Sequence, residues 1–152
     1  MMFDIIRCEA DAKKHGFDRF FSFDSVKAKI IQAEDIHAAA QHKNRNSLIM
    51  LKDYAFDEGA IKLIGEKKRL CFLIDIGRLI RTRGVPRAIA ISKLRNFLSM
   101  CARYGAFYTF ASFAESEEQI RGPEEMENIV LLLGLNRGQA KFALYMLKHY
   151  LQ

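Results

Sequence analysis

The chain has 152 residues, of which 50% are hydrophobic, 28% charged and 11% aromatic, and its net charge is +6. This length allows one domain, residues 1–152, with one sizeable core, and this composition excludes an intrinsically disordered chain. The longest apolar run, residues 129–133, is far shorter than the ~20 residues of a membrane span. The first residues also lack the basic and apolar segments of a signal peptide, so we expect a cytoplasmic protein with no membrane partner.

Short β-leaning runs alternate with helical segments along the chain. Strands are predicted at residues 3–8, 19–23, 29–33, 47–51, 70–76 and 106–110, and helices at residues 9–15, 35–43, 57–68 and 86–104. Two more helices follow: one begins at Pro123 and ends at Gly134, and the last begins at Asn136, with Gln139 completing a capping box.

This alternation predicts an α/β fold with about six parallel strands, outer helices and C-terminal helices. A full eight-unit barrel needs at least about 200 residues. We therefore expect a reduced barrel, with an open three-layer sandwich as the alternative architecture.

The basic residues are concentrated in one window. Residues 67–95 contain nine Lys or Arg and a single acidic residue, for a net charge of +8, whereas the rest of the chain carries −2. Four of the arginines fall between the fifth predicted strand and the next helix, flanked by Gly and Pro: Arg78, Arg81, Arg83 and Arg87. Because guanidinium groups and helix N-termini both bind phosphate, this cluster predicts contacts to several phosphates of a nucleic acid. The alternatives are a solvated helix face, pairing with the protein's own glutamates, or a scaffold module that meets an acidic protein.

Several carboxylates follow predicted strands, where a barrel enzyme places its active site. A small metal-dependent hydrolase built on Asp4, Glu34, Asp53 and Asp75 is therefore the alternative function. The four histidines form no His-x-His or His-Glu-x-x-His pair, and the three cysteines fit no zinc spacing. The sequence thus predicts no metal site and no catalytic residue.

The C-terminal third of the chain resembles a known family. Residues 105–144, GAFYTFASFAESEEQIRGPEEMENIVLLLGLNRGQAKFAL, resemble the closing pattern of archaeal ribonuclease P protein component 3, whose family includes the eukaryotic thirty-kilodalton ribonuclease P subunit. The matching positions include an Arg-x-Pro, a helix ending at a glycine and a Gln-Ala-Lys: Arg121, Pro123, Gly134, Gln139, Ala140 and Lys141. Residues 71–91, CFLIDIGRLIRTRGVPRAIAI, resemble the family's central strand, loop and helix, with Arg78 and Arg87 on its arginine positions.

This resemblance implies a distorted TIM-like barrel similar to the polymerase-and-histidinol-phosphatase type. The barrel is shortened here, because residues 23–29 join two strands almost directly. The first strand, FDIIRCEAD, lacks the His-x-His of the metal enzymes in that superfamily and so resembles its non-catalytic branch.

The resemblance also implies an RNA-binding subunit of ribonuclease P that assists 5′ maturation of precursor tRNA. The endonuclease activity and its magnesium belong to the ribonuclease P RNA, and the protein binds no cofactor itself. The expected partners are this RNA, precursor tRNA and ribonuclease P protein component 2. The expected RNA contacts are Arg78, Arg81, Arg83, Arg87 and Arg121, with Arg95, Lys67, Lys68 and Lys141 as further candidates.

Overall fold

The computed structural model describes residues 2–152. It contains six strands: β1 (Phe3–Ile6), β2 (Arg19–Ser22), β3 (Ile30–Ala33), β4 (Leu48–Leu51), β5 (Cys71–Asp75) and β6 (Phe107–Ala111). The α-helices are α1 (Phe23–Val26), α2 (Ile36–Ala40), α3 (Glu58–Lys67), α4 (Ile76–Arg81), α5 (Gly84–Tyr104), α6 (Pro123–Leu131) and α7 (Arg137–Leu151). Short 3₁₀ helices cover Lys13–His15, Lys27–Lys29 and Glu117–Gln119. The predicted α/β alternation and the number of strands are confirmed. None of the helices in the described part of the chain has both the length and the apolar character of a membrane span.

All strand pairs are parallel. The four-stranded sheet has the order β3-β4-β5-β6, and β1 pairs with β2. A single bridge between Ile6 and Ala114 joins the two groups of strands. It is flanked by two backbone hydrogen bonds, from Arg7 N to the Ala114 oxygen at 2.8 Å and from Phe113 N to the Ile5 oxygen at 2.9 Å. Within residues 2–152, β2 and β3 do not pair, so the expected barrel is open at this point.

Both faces of the sheet are buried, as the near-continuous apolar runs of a parallel sheet require. In β5, the inward-facing Cys71 and Leu73 belong to a core cluster that draws residues from all six strands and from α7. The outward-facing Phe72 and Ile74 belong to the larger cluster formed with the outer helices. The Phe72 ring meets the ring of Phe97 on α5 edge-on, with centroids 4.9 Å apart.

The connection between β2 and β3 is unusually short. Only α1 and one turn of 3₁₀ helix, residues 23–29, lie between the two strands. A parallel crossover normally takes a dozen or more residues, because a helix must cover the sheet face. The shortening expected from the sequence is therefore confirmed, and the sheet opens at this connection.

The segment after β5 differs from the prediction. The sequence predicts an arginine-rich loop up to Pro86, but α4 begins directly after the strand and α5 begins at Gly84. The Asp75 carboxylate caps α4 by accepting a hydrogen bond from Arg78 N at 3.0 Å. A Cβ atom on Gly77 would overlap the carbonyl oxygen of Ser112, so only glycine allows α4 to approach the segment after β6 this closely.

Candidate nucleic-acid interface

Strand β5 divides the basic window into two groups. Lys67 and Lys68 precede the strand at its amino end, whereas the four clustered arginines, residues 78–87, follow it at its carboxyl end. A five-residue strand is about 17 Å long, so the two groups lie at opposite edges of the sheet. The structure therefore does not bring all nine predicted contacts onto one surface.

Arg78 and Arg83 are the members of the carboxyl-end group whose guanidinium groups make no hydrogen bond or ion pair with any described residue. Arg78 lies in the first turn of α4, and Arg83 occupies the N-cap position directly before α5. Both side chains are exposed, and their guanidinium groups can donate hydrogen bonds to a phosphate.

Arg81 is partly neutralised by the protein itself. One of its terminal nitrogens lies 3.6 Å from an oxygen of Asp75, whose side chain is 21% exposed. Burial raises the pKa of the Asp75 carboxyl, although the Arg78 backbone N–H and the Arg81 guanidinium both act in the opposite direction. A phosphate bound at Arg81 would compete with this carboxylate.

Arg87 has a structural role that the sequence analysis missed. Its Nε donates hydrogen bonds to the carbonyl oxygens of Leu79 and Thr82, at 3.0 and 2.5 Å, and one terminal nitrogen donates to the Ile80 oxygen at 2.7 Å. These are carbonyl groups at the C-terminus of α4, which have no partner within the helix. The Arg87 side chain thus fixes the corner between α4 and α5 and presents Arg83 between them.

The other predicted contacts are dispersed. Arg121 lies before α6 and donates a hydrogen bond to the Glu118 oxygen at 3.1 Å. Arg95 is exposed on α5, and Lys141 is exposed on α7. Lys68 donates to the Gly105 oxygen at 3.4 Å, at the amino end of β6. These four side chains therefore lie on four different parts of the fold: the segment before α6, α5, α7 and the segment before β5.

Three of the carboxylates considered for a hydrolase already have partners in the protein. Glu34 pairs with Lys52 at 2.7 Å, and Asp53 pairs with Lys93 at 3.2 Å. Asp75 caps α4, as described above. In residues 2–152, no three His, Cys, Asp or Glu side chains are grouped in a way that would hold a metal ion.

The fourth of these carboxylates, Asp4, is completely buried. One oxygen accepts hydrogen bonds from the backbone N–H groups of Ile5 and Ser112, both at 2.8 Å, and the other lies 2.5 Å from Ser112 Oγ. Burial raises the pKa of Asp4 to about 6, because the loss of hydration outweighs the hydrogen bonds from Ser112 and Ile5. This carboxyl group is a structural link between β1 and the segment after β6, and a substrate has no access to it.

A cleft of about 340 Å³ opens beside the carboxyl-end group, and the sequence analysis did not predict it. Its walls include Asp53, Tyr54, Asp75, Arg78 and Lys93. The Tyr54 hydroxyl donates a hydrogen bond to the Leu73 oxygen at 3.1 Å. The order of residues along the chain contains a signal for this cleft: Asp53 and Tyr54 follow β4, and Arg78 follows β5. Because β4 and β5 are parallel neighbours, their carboxyl ends meet at one edge of the sheet.

The architecture defines a class of protein: an α/β fold of parallel strands with helices packed against the sheet. No protein-family model matches the chain, and no curated protein matches it. Among solved structures, the chain is similar to one in a cryo-EM structure of archaeal ribonuclease P with mature tRNA. The similarity has a TM-score of 0.69, covers 97% of this chain and 79% of that chain, and is accompanied by 16% sequence identity. The two chains share a fold.

Proposed function

We propose that this protein is an RNA-binding protein subunit of ribonuclease P. The observation that carries the proposal is the shared fold with a chain of archaeal ribonuclease P over 97% of this chain. The sequence patterns around Arg78 and Arg121, which resemble protein component 3, support the same assignment independently of the fold. Together they favour protein component 3 among the subunits, with protein component 2 as its partner.

In this proposal the protein assists 5′ maturation of precursor tRNA in the cytoplasm, and RNA carries out the cleavage. Magnesium would be held by the RNA. The protein would contribute positive charge at fixed positions, with Arg78 and Arg83 as the leading contacts, since their guanidinium groups are exposed and unpaired. Phosphate contacts of this kind orient an RNA without reading its sequence, and their strength decreases steeply with salt.

A reconstitution tests the proposal. The protein is added to the ribonuclease P RNA of the same organism, with and without protein component 2, and cleavage of precursor tRNA is measured. We expect faster processing when the protein is present. Replacing Arg78 and Arg83 together with alanine should reduce that stimulation and weaken RNA binding without changing the melting temperature, because both side chains are exposed.

Two outcomes of the reconstitution would contradict parts of the proposal. If the wild-type protein neither binds the RNA nor changes processing at any magnesium concentration, the proposed function is wrong. If stimulation survives the Arg78→Ala and Arg83→Ala replacements unchanged, the subunit assignment stands but the carboxyl-end group is not the RNA contact.

A further inference from the structure

Positive charge is concentrated at the amino-terminal edge of the four-stranded sheet, although it is dispersed along the sequence. Residues 27–29, 43–47, 67–70 and 102–106 directly precede β3, β4, β5 and β6, and together they contain eight Lys or Arg and no Asp or Glu. The four strands are parallel neighbours. These segments therefore lie side by side along one edge, over about 14 Å at the usual strand spacing.

Most of these cations are not neutralised by the protein. Five of them are exposed and form no ion pair with a described carboxylate, and we call this group the amino-edge surface: Lys29, Arg45, Lys67, Lys68 and Arg69. Two of the remaining bases do have acidic partners, since Lys27 pairs with Asp24 and Arg103 with Glu58. Uncompensated like charges held close together repel one another, and a bound polyanion relieves this repulsion.

The backbone that carries these cations is held in place. The Tyr150 hydroxyl, at the end of α7, donates a hydrogen bond to the Arg69 oxygen at 2.8 Å. Ser47 Oγ donates to the Lys29 oxygen at 2.9 Å, which ties the segment before β4 to the segment before β3. The basic segments are thus fixed relative to one another before any ligand binds.

The segments before β3 and β4, together with the end of α7, form a groove. Its volume is about 380 Å³, and its walls are formed by Lys29, Arg45, Asn46, Ser47 and Tyr150. Cations around a groove that also contains polar and aromatic groups are typical of surfaces that follow a nucleic-acid backbone.

The opposite edge of the sheet has a different electrostatic character. Glu34, Asp53 and Asp75 all lie at or just after the carboxyl ends of β3, β4 and β5. A polyanion approaching that edge meets carboxylates as well as arginines. At the amino end of the same strands the four segments themselves contain no Asp or Glu, and the nearby carboxylates include Asp24, which pairs with Lys27, and the exposed Glu66. The net charge is still strongly positive, which favours the amino-edge surface for the longer run of phosphates.

We infer that the amino-edge surface is a second RNA-binding surface, which contacts a phosphate backbone on the side of the molecule opposite Arg78 and Arg83. This inference rests on the proposed function and extends it, because one subunit would then touch RNA at both edges of its sheet. The contacts are to phosphates and therefore tolerate different sequences.

The test compares three double replacements that remove equal charge. Arg45→Gln with Arg69→Gln changes the amino edge, Arg78→Gln with Arg83→Gln changes the carboxyl end, and Lys14→Gln with Lys62→Gln is the control on other exposed positions. Binding of a fluorescein-labelled precursor-tRNA transcript is measured by anisotropy over a series of KCl concentrations. Lys29→Gln with Lys67→Gln provides a second amino-edge variant should the first lose its thermal transition.

We expect the amino-edge variant to bind about tenfold more weakly than wild type. The slope of log affinity against log salt concentration should decrease in magnitude by about two, because two phosphate contacts are lost. The control should match the wild type. If the amino-edge variant behaves like the control while the carboxyl-end variant loses binding, the inference is wrong and the proposed function stands. If the wild type does not bind the transcript, the inference is wrong, and the proposed function is decided separately by the reconstitution with ribonuclease P RNA. Poly-glutamate and unlabelled tRNA are also compared as competitors. If poly-glutamate displaces the transcript from the wild type at the lower concentration, and this advantage is absent in the amino-edge variant, the partner is an acidic protein and the inference is wrong.

Discussion

Replacing Asp4 with asparagine should stabilise the protein above pH 6 and leave its stability at low pH nearly unchanged. In the folded protein the pKa of Asp4 is raised from 3.8 to about 6, chiefly by burial. The unfolded chain therefore loses this proton near pH 4, whereas the folded chain keeps it until about pH 6. Between these values the unfolded state binds fewer protons, so the free energy of unfolding decreases as pH rises.

The magnitude follows from the two pKa values. Each pKa unit corresponds to 1.36 kcal/mol, so the difference between 3.8 and about 6 gives about 3 kcal/mol. Asparagine does not titrate, and it can keep the local hydrogen bonds: its oxygen accepts from Ile5 N and Ser112 N, and its amide donates to Ser112 Oγ. The variant should therefore gain about 3 kcal/mol over the wild type as pH rises from 3 to 7.5.

Urea denaturation followed by circular dichroism, at half-unit pH steps and constant ionic strength, measures this quantity. The informative result is the difference between the two proteins, because titration of all other groups cancels to first order. A difference that stays constant from pH 3 to pH 8 would show that the Asp4 carboxyl is not destabilised by burial. A variant whose stability relative to wild type decreases as pH rises would show that the charged carboxylate is the favoured form.

Three further predictions concern packing, capping and reactivity. Gly65→Ala should lower the free energy of unfolding by about 1–3 kcal/mol in chemical denaturation, because the new methyl would overlap the carbonyl oxygen of Tyr104 on α5. The control is Gly138→Ala, at an exposed position near the start of α7, which should be neutral or stabilising. Arg87→Ala should cost about 1–3 kcal/mol by the same measurement, because it leaves the carbonyl groups of Leu79, Ile80 and Thr82 without the Arg87 donor. Replacing the exposed Arg83 with alanine should change stability by no more than about 0.5 kcal/mol. In the native protein at pH 8, a thiol reagent should modify one cysteine per chain, the half-buried Cys8, whereas in urea it should modify all three. Equally fast reaction of all three in the native state would contradict the burial of Cys71 and Cys101.

The strands were predictable because their signal is local. Each is a short run of apolar residues bounded by turns or helix starts. Asn136 caps its helix as the sequence predicts, and Asp57 caps α3 in the same way. The capping box at Asn136 and Gln139 needs only residues three apart. Such features are determined within one turn of the chain, so a pattern can identify them.

Helix α4 was not predictable in the same way, because its C-terminal support is not local. The residues between Asp75 and Pro86 include two glycines and a threonine, a composition that favours a loop. The helix is held by a cap from Asp75 at one end and by Arg87 at the other, six residues after it ends. The burial of Asp4 depends on Ser112, which lies 108 residues away in the sequence.

The arginine cluster shows a different limit of sequence reading. A charge window counts residues along the chain, but a strand carries the chain from one side of the molecule to the other. Lys67 and Arg78 are close in sequence and lie at opposite ends of β5. Conversely, Lys29, Arg45 and Arg69 are far apart in sequence, and the parallel sheet aligns them at one edge.

The junction between β1 and the segment after β6 is the place where this molecule should open first. Besides apolar packing, the polar links across it are two main-chain hydrogen bonds and the Asp4–Ser112 contacts, whereas β5 and β6 pair over five residues. Ionisation of Asp4 above pH 6 favours opening of this junction, because opening restores hydration to the buried carboxylate. Amide hydrogen exchange at Arg7 and Phe113 should then accelerate with pH more than base catalysis alone accelerates it elsewhere in the sheet. The β1–β2 pair would open locally while the four-stranded sheet stays folded.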